Sequence, residues 1–157
     1  MTERYVHTVW CDDIRQEIGN KPSFMGVYTA GIVLGQLPTV LPRLGVFTWL
    51  STAIDKPFKK FTLRVVRDDG HVLVEMTPES IDTGASALCD ATRKVFMAGL
   101  TLGPVEIPAG CKFFKVTVEE GSEVIEGPKL RVEINGDFLA TFNAGSVAAQ
   151  GPLPPPT

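Results

Sequence analysis

A strict alternation of apolar and polar residues is the sequence feature that most limits the fold. Phe61, Leu63 and Val65 are apolar, and the residues between and before them are polar or charged. Successive side chains of a β-strand point to opposite faces, so this period of two predicts a strand with one buried face. The turn sequence at 68–70 follows, and its Asp-Gly pair tolerates the positive dihedrals of a tight turn. The pattern predicts a hairpin whose second strand is Val72–Met76.

A second hairpin is predicted near the end of the chain. Leu130, Val132 and Ile134 alternate with charged residues, and Asn135-Gly136 follows them. Asn-Gly between alternating apolar residues is one of the strongest short-range hairpin signals. The alternation resumes beyond the turn at Phe138, Ala140 and Phe142.

The other strand candidates are short and lie between Gly- and Pro-rich turns. They are residues 5–11, 23–34, 44–52, 95–102 and 112–119. Gly26 and Gly31 interrupt the second of them, which indicates a bulge or bend. About eight or nine such strands predict an all-β fold, an antiparallel β-sandwich of immunoglobulin-like or jelly-roll-like type. The polar, small-residue-rich stretch 78–92 breaks this pattern and predicts a loop or short helix.

Length and composition predict a single globular domain. The chain has 157 residues, which suffices for one ordinary domain, and we expect it to span residues 1–145. Residues 146–157 are proline-rich and cannot build a hydrogen-bonded ladder, so they predict a flexible tail. Such a tail either docks into an aromatic groove of a partner or is a frayed terminus.

Charge and cysteine usage indicate the compartment. The net charge of −3 provides no field that favours nucleic acid, and no run approaches the ~20 apolar residues of a membrane-spanning helix. The three cysteines have no C-x-x-C spacing, which favours reduced thiols over a disulfide framework. We therefore expect a cytoplasmic protein of a bacterium, or of a bacteriophage made inside one.

The N-terminal part of the sequence carries a family resemblance. Its pattern is Cys11-Asp12-Asp13-Ile14-Arg15-x-Glu17, then Lys21, then Ser23-Phe24-Met25-Gly26-Val27-Tyr28. It resembles a family of small bacterial and bacteriophage proteins that is catalogued only as a domain of unknown function. The resemblance extends over most of the chain and implies an all-β, sandwich-like domain in a bacterial or phage setting. It assigns no catalytic residue.

The segment WCDDIRQE at 10–17 is the densest group of chemically active side chains. Asp12, Asp13 and Glu17 are candidate ligands for a hard cation such as calcium, which binds six to eight oxygens. Alternatively, the Asp side chains accept hydrogen bonds from backbone amides at a strand end, and Arg15 holds one carboxylate in an ion pair. We favour this structural interpretation over metal binding and over catalysis.

Catalytic chemistry has little support in the sequence. His7 and Cys11 lie four residues apart on one predicted strand and so on one face, but such a pair is more often a packed thiol beside an imidazole. His71 follows a turn, and no nucleophile elbow, zinc spacing or phosphate-binding loop occurs. We expect no enzyme and no cofactor.

Two groups of residues are candidates for binding a partner. Lys59 and Lys60 belong to the basic stretch 56–67, which either tracks phosphates or is the solvated face of a strand; the second interpretation is favoured. Trp49 is either a core residue or an anchor for a partner, because aromatic residues dominate interface hot spots. Arg15 is a further candidate for binding.

These observations favour a non-enzymatic protein-binding module of bacterial or phage origin. It would be a virion accessory component or a small inhibitor of a host protein. Binding would use loops at one end of the sandwich or an open sheet edge, through which the chain could also pair with itself. The alternative is a lectin-like β-sandwich that binds a small ligand or calcium with the rim formed by Asp12, Asp13 and Glu17.

Overall fold

The computed structural model describes residues 4–29, 31–79, 81 and 92–135, and this part of the chain contains thirteen strands and no helix. The strands are β1 (Tyr5–Cys11), β2 (Asp13–Glu17), β3 (Lys21–Met25), β4 (Gly31–Leu34), β5 (Thr39–Leu41), β6 (Leu44–Ala53), β7 (Thr62–Arg67), β8 (Val72–Met76), β9 (Arg93–Leu102), β10 (Val105–Ile107), β11 (Phe113–Glu120), β12 (Glu123–Glu126) and β13 (Leu130–Ile134). The all-β prediction is confirmed.

Two principal sheets form a sandwich. The first has three antiparallel strands in the order β1-β6-β9. The second has six strands, in the order β4-β13-β11-β7-β8, with β12 also paired to β11. Two small ribbons, β2-β3 and β5-β10, complete the fold. Within the described ranges no helix is long and apolar enough to span a membrane.

Apolar side chains from both sheets meet in one core. Val46 and Leu50 of the first sheet and Leu63, Val65 and Phe114 of the second are fully buried in a single cluster. The even-numbered residues of β6 contribute to this cluster, as the period of two requires. The sandwich architecture is therefore confirmed.

The predicted hairpin formed by β7 and β8 is present. Arg67 N–H donates to the carbonyl of His71 over 2.9 Å, and Gly70 takes a φ of +86°, which L-residues with side chains rarely adopt. The register shifts between Val65 and Val66, where a bulge increases the local twist.

The structure differs from the prediction in strand number and in one pairing. The thirteen strands exceed the expected eight or nine because four ribbon or edge strands, β2, β5, β10 and β12, have only three to five residues. Residues 23–34 are not one strand but parts of β3 and β4, separated by a turn in which Gly26 has a φ of +63°.

Only the first strand of the second predicted hairpin lies among the described residues. Its first strand is β13, which pairs in parallel with β4 and antiparallel with β11, so the sandwich is not purely antiparallel. The predicted return strand at 138–142, the domain boundary at 145 and the tail 146–157 lie outside the described residues, as does most of the stretch 78–92.

Candidate functional site

The segment WCDDIRQE joins two strands and does not end one. Asp12 sits between β1 and β2, and its N–H donates to the carbonyl of Met25 over 2.9 Å. The chain then continues as β2, which pairs with β3 through a turn at residues 18–20. The expected local turn does not form, because the Asp12 amide is hydrogen-bonded to the backbone carbonyl of Met25 in β3 and not to an Asp side chain.

Asp12 has a specific partner within the protein. Its carboxylate accepts a hydrogen bond from the Tyr28 hydroxyl and lies against the Cα of Gly26, where a Cβ would stand. Burial, and then this hydrogen bond to a carboxylate, raise the pKa of Tyr28 well above its ordinary value. The N–H of Tyr28 also donates to the carbonyl of Trp10 over 2.9 Å, which fastens the segment to β1.

Asp13 and Glu17 are not brought together with Asp12. Asp13 is paired with Arg43, with 3.0 Å between Oδ1 and Nη1, while Arg15 is farther away, with 3.8 Å between Nε and Oδ2. Glu17 is exposed at the end of β2, opposite Lys21. Among the residues that the structure describes, no three His, Cys, Asp or Glu side chains are grouped closely enough to hold a metal ion.

We predict that millimolar calcium leaves the melting temperature unchanged, because the carboxylates of Asp12, Asp13 and Glu17 do not converge on one point. Asp13→Asn is expected to cost about 0.5–1 kcal/mol with or without calcium, since it weakens a partly exposed ion pair with Arg43. Differential scanning fluorimetry measures both effects. A calcium-dependent rise that disappears in Asp12→Asn or Asp13→Asn would restore the lectin-like alternative.

His7 and Cys11 share a face of β1 but have different environments. His7 is exposed and stands 5.5 Å from the Trp49 ring, whereas Cys11 is fully buried and its Sγ donates to the Asp13 carbonyl. Burial, followed by the nearby carboxylates, raises the pKa of the Cys11 thiol. Cys111 behaves similarly, since burial and Asp68 raise its pKa to about 11. Both thiols are therefore protonated at neutral pH.

Lys59 and Lys60 lie in the loop before β7, not on the strand. Their backbone N–H groups donate to Oε1 of Glu120 over 2.6 and 3.1 Å. The arginines of the same basic stretch are paired with carboxylates: Arg64 with Glu75 and Glu119, and Arg67 with Asp69. Acidic side chains of β8, of β11 and of the β7–β8 turn thus form ion pairs with the arginines of this stretch.

Trp49 lies on the outer face of the three-stranded sheet, the face turned away from the core. It is half-buried in an aromatic group, with ring centroids 4.5 Å from Phe47 and 6.0 Å from Phe24. Phe24 belongs to β3, so the β2-β3 hairpin folds over this face and covers its part around Phe47. This hairpin contains much of the 11–28 sequence pattern, and Phe24 of that pattern packs on the outer face of the sheet.

The hairpin leaves the other part of the outer face open. The register places Tyr5 of β1 beside Ser51 of β6, which in turn is beside Val95 of β9. In the same way, His7 is beside Trp49, and Trp49 is beside Met97. Tyr5, Val95 and Met97 are 52%, 53% and 58% exposed, respectively. Val95 and Met97, two residues apart on the outer face of β9, form an exposed apolar pair, whereas Tyr5 lies on β1 with the Arg93 guanidinium carbon 4.7 Å from its ring centroid.

Strand β9 has one edge that no strand of the described residues occupies. It is the outermost strand of its sheet, paired only with β6 in the described part of the chain. Ile54 N–H donates to the Thr92 carbonyl, which extends the register of β6 and β9 by one pair. Because hydrogen-bonded pairs alternate along an antiparallel ladder, the even-numbered residues of β9 direct their N–H and C=O toward β6. The odd-numbered residues direct theirs away from β6. The outward set is Arg93, Val95, Met97, Gly99 and Thr101.

Three cavities lie along this edge. One of about 380 Å³ opens on the outer face, between the β2-β3 hairpin and the side of β9 formed by Met97, Gly99 and Thr101. A second, of about 730 Å³, lies at the end of β9, where Leu102 faces Leu73 of β8, and Arg67, His71 and Glu106 are in its wall. A small third, of about 50 Å³, adjoins Phe96. A strand laid beside β9 would have alternate side chains next to cavities on both faces.

The sequence predicted β9 but not its place at an edge. The available signal was the absence of charges and proline, which natural edge strands usually carry. Residues 95–102 contain neither. Among the described strands, the part of β9 from Val95 to Leu102 therefore lacks the features that usually protect an edge.

Comparison with known proteins yields one match. No curated protein and no solved structure matches the chain. A family profile, described as a family of unknown function (DUF6941), matches residues 7–133. This span begins within β1 and ends within β13, and so contains nearly the whole sandwich. The chain belongs to this family of unknown function, DUF6941.

Proposed function

We propose that this protein is a non-enzymatic binding module that captures an extended segment of another protein by adding it as a fourth strand beside β9. The observation that carries the proposal is the edge of β9 from Val95 to Leu102, which is unpaired within the described part of the chain and has cavities along it. In strand addition, main-chain hydrogen bonds supply affinity, and pockets for alternate side chains supply specificity.

The cavities are needed for useful affinity. A main-chain hydrogen bond contributes about 0.5–1.5 kcal/mol net, whereas association costs about 4–15 kcal/mol. The five outward-facing residues of β9 therefore barely offset association by hydrogen bonding alone. Apolar side chains of the segment, buried at about 25 cal/mol per Å², supply the surplus, and the exposed Val95 and Met97 side chains offer apolar surface to them.

The biological setting is part of the same proposal. A bacterial or phage protein of this size would act in the cytoplasm as a virion accessory component or as an inhibitor that occupies a host protein's segment. Two buried, unpaired cysteines, Cys11 and Cys111, are compatible with a reducing compartment.

A displayed library of random twelve-residue peptides tests the proposal. We expect selection on the wild-type protein to yield peptides of micromolar affinity. Met97→Pro should reduce their binding at least tenfold, because it removes an outward N–H without breaking a bond to β6. Met97→Ala, which keeps this N–H, is the matched control and should bind with a smaller loss.

Isothermal titration measures the affinities, and thermal unfolding confirms that both variants are folded. The proposal is contradicted if the library yields no binder to the folded protein. Peptides that bind Met97→Pro as tightly as the wild type would also overturn it, since they would use another surface.

A further inference from the structure

We propose that the Glu120 carboxylate is a latch that holds closed the loop at residues 54–61, and that loss of its charge opens this loop while both sheets stay folded. The loop joins β6, which ends at Ala53, to β7, which begins at Thr62, and so crosses from one sheet to the other. Among the described strands none pairs with residues 56–60, so their position depends on side-chain contacts. The latch is independent of the capture of a segment at β9.

The carboxylate of Glu120 uses both of its oxygens to hold the loop. Oε1 accepts from the backbone N–H of Lys59 over 2.6 Å and from that of Lys60 over 3.1 Å. Oε2 accepts from Nη1 of Arg4. The Glu120 side chain is only 19% exposed, so protein donors replace much of the water around its charge.

Arg4 holds the same loop at its carbonyl groups. Its Nη2 donates to the carbonyl of Lys56 over 3.2 Å and to that of Pro57 over 3.4 Å. The Lys56 carbonyl also accepts from the Thr52 hydroxyl over 2.6 Å. The loop backbone is thus bonded to Arg4 and to Glu120, and these two side chains are bonded to each other.

Only the ionised form of Glu120 satisfies all of these donors. A protonated carboxyl group or a carboxamide carries a donor of its own at one of the two positions. That donor would face either Arg4 or the two loop N–H groups. Burial of Glu120 acts to raise its pKa, but the loop N–H groups and Arg4 together outweigh burial, so the pKa lies below its ordinary value.

The neighbouring carboxylates have cations of their own and do not compete for the loop N–H groups. Glu123 of β12 accepts from Arg4 over 2.8 Å, and Glu119 of β11 is paired with Arg64 of β7. The remaining charged groups of the elements around Glu120 are those of the loop, namely Asp55, Lys56, Lys59 and Lys60.

Opening the loop uncovers an apolar surface. Phe58 is 3% exposed, and the Arg4 guanidinium carbon stands 4.5 Å from its ring centroid. The Phe58 ring lies 5.3 Å from that of Phe61, which lies 5.1 Å from that of Phe96 in β9. Phe58 and Phe96 also line the cavity of about 50 Å³. When the loop lifts, Phe58 leaves this cavity, which then becomes a wider apolar groove beside Phe96.

Hydrogen exchange of individual amides at neutral pH tests the latch with Glu120→Gln. We expect the Lys59 and Lys60 amides to exchange about tenfold faster or more, and the amides of β7 and β11 to exchange as in the wild type, since only the loop opens. Glu123→Gln is the matched control, because it takes a carboxylate from Arg4 but none from the loop N–H groups. It should leave the exchange of both loop amides within about threefold of the wild type.

A pH titration of the wild-type protein, followed by NMR, gives an independent readout. The Glu120 carboxyl carbon and the Lys59 and Lys60 amide protons should titrate with one common midpoint, below the ordinary range for Glu. Because the pKa is lowered in the folded state, stabilisation by the latch is complete at neutral pH and is lost as the pH falls through this midpoint.

Three outcomes overturn the latch. One is unchanged exchange of the loop amides in Glu120→Gln. Another is an equal acceleration in β7 and β11, or an equal effect of Glu123→Gln, since the opening would then be global or would depend on Arg4 alone. The third is a midpoint of the loop amides that differs from that of the Glu120 carboxyl group.

Discussion

Phe114→Ala is expected to lower the free energy of unfolding by about 3–5 kcal/mol, the largest effect of any single substitution discussed for this protein. Phe114 is fully buried in β11, the strand that pairs with β7, β12 and β13. Truncation removes the transfer free energy of the ring and leaves a cavity between the sheets. Because β11 is hydrogen-bonded to three other strands, it cannot move to close this cavity. Urea denaturation measures the loss.

The neighbouring Phe113 provides a matched control. It points to the opposite face of β11, is only half-buried, and has Lys129 Nζ 4.3 Å from its ring centroid. Phe113→Ala should therefore cost about 1 kcal/mol, through a weakened cation–π contact and partial burial. Since a domain is stable by only about 5–15 kcal/mol, Phe114→Leu provides a milder variant if the alanine form does not fold. Equal losses at the two positions would contradict the assigned faces of β11.

The strands with strong local signals were predictable from the sequence. In β7, the alternation of apolar and polar residues fixed the buried face, and the Asp-Gly turn fixed the partner strand. Phe61, Leu63 and Val65 are all at most 1% exposed. Both signals are local, and they agree, which is the condition under which sequence reasoning is reliable.

The β2-β3 hairpin was not predictable, because its strands lack a buried face of their own. The sequence of β2, DIRQE, has one apolar residue, Ile14, whose side chain lies in the groove beside β9. The hairpin is stabilised by lying on the outer face of another sheet, where Phe24 meets Phe47 and Trp49. This is a tertiary contact, and tertiary contacts override local propensity.

Non-local pairing explains the other omissions. The sequence predicted β13 but not its described neighbours, since β13 lies between β4 and β11, nearly a hundred residues and about fifteen residues away along the chain, respectively. Turn chemistry cannot report such long-range neighbours. The edge position of β9 is a property of the same kind, because it depends on which strands are present beside it.

For the candidate site, too, local features were predictable from the sequence and tertiary contacts were not. Trp49 was predicted as either a core residue or an anchor, and it lies between the two, half-buried beside the exposed Met97. Asp12 and Asp13 were candidate cation ligands in the sequence. In the structure the Asp12 side chain accepts from Tyr28 and its N–H donates to Met25 of β3, while Asp13 pairs with Arg43. The charged segment thus positions one wall of the groove beside β9, and it affects the proposed binding edge through the hairpin.

Gly26→Ala is expected to lower the free energy of unfolding by about 2–4 kcal/mol. Gly26 has a φ of +63°, a conformation that costs a residue with a side chain about 1–2 kcal/mol. The added Cβ would also collide with the Asp12 carboxylate and displace it from the Tyr28 hydroxyl, which costs about 1–2 kcal/mol more at this partly exposed site. Gly35→Ala, where a Cβ meets nothing within 4 Å, should change stability by less than about 0.5 kcal/mol.

A double-mutant cycle separates the two contributions at Gly26. Asp12→Ala alone should cost about 1–2 kcal/mol through the lost Tyr28 hydrogen bond. Once Asp12 is truncated, Gly26→Ala should cost only its backbone strain, so the double variant should be more stable than the sum of the single losses by about 1–2 kcal/mol. Chemical denaturation of the four proteins gives this coupling energy. Strict additivity would show that the Asp12 carboxylate moves aside freely, and that Gly26 is required for its dihedral alone.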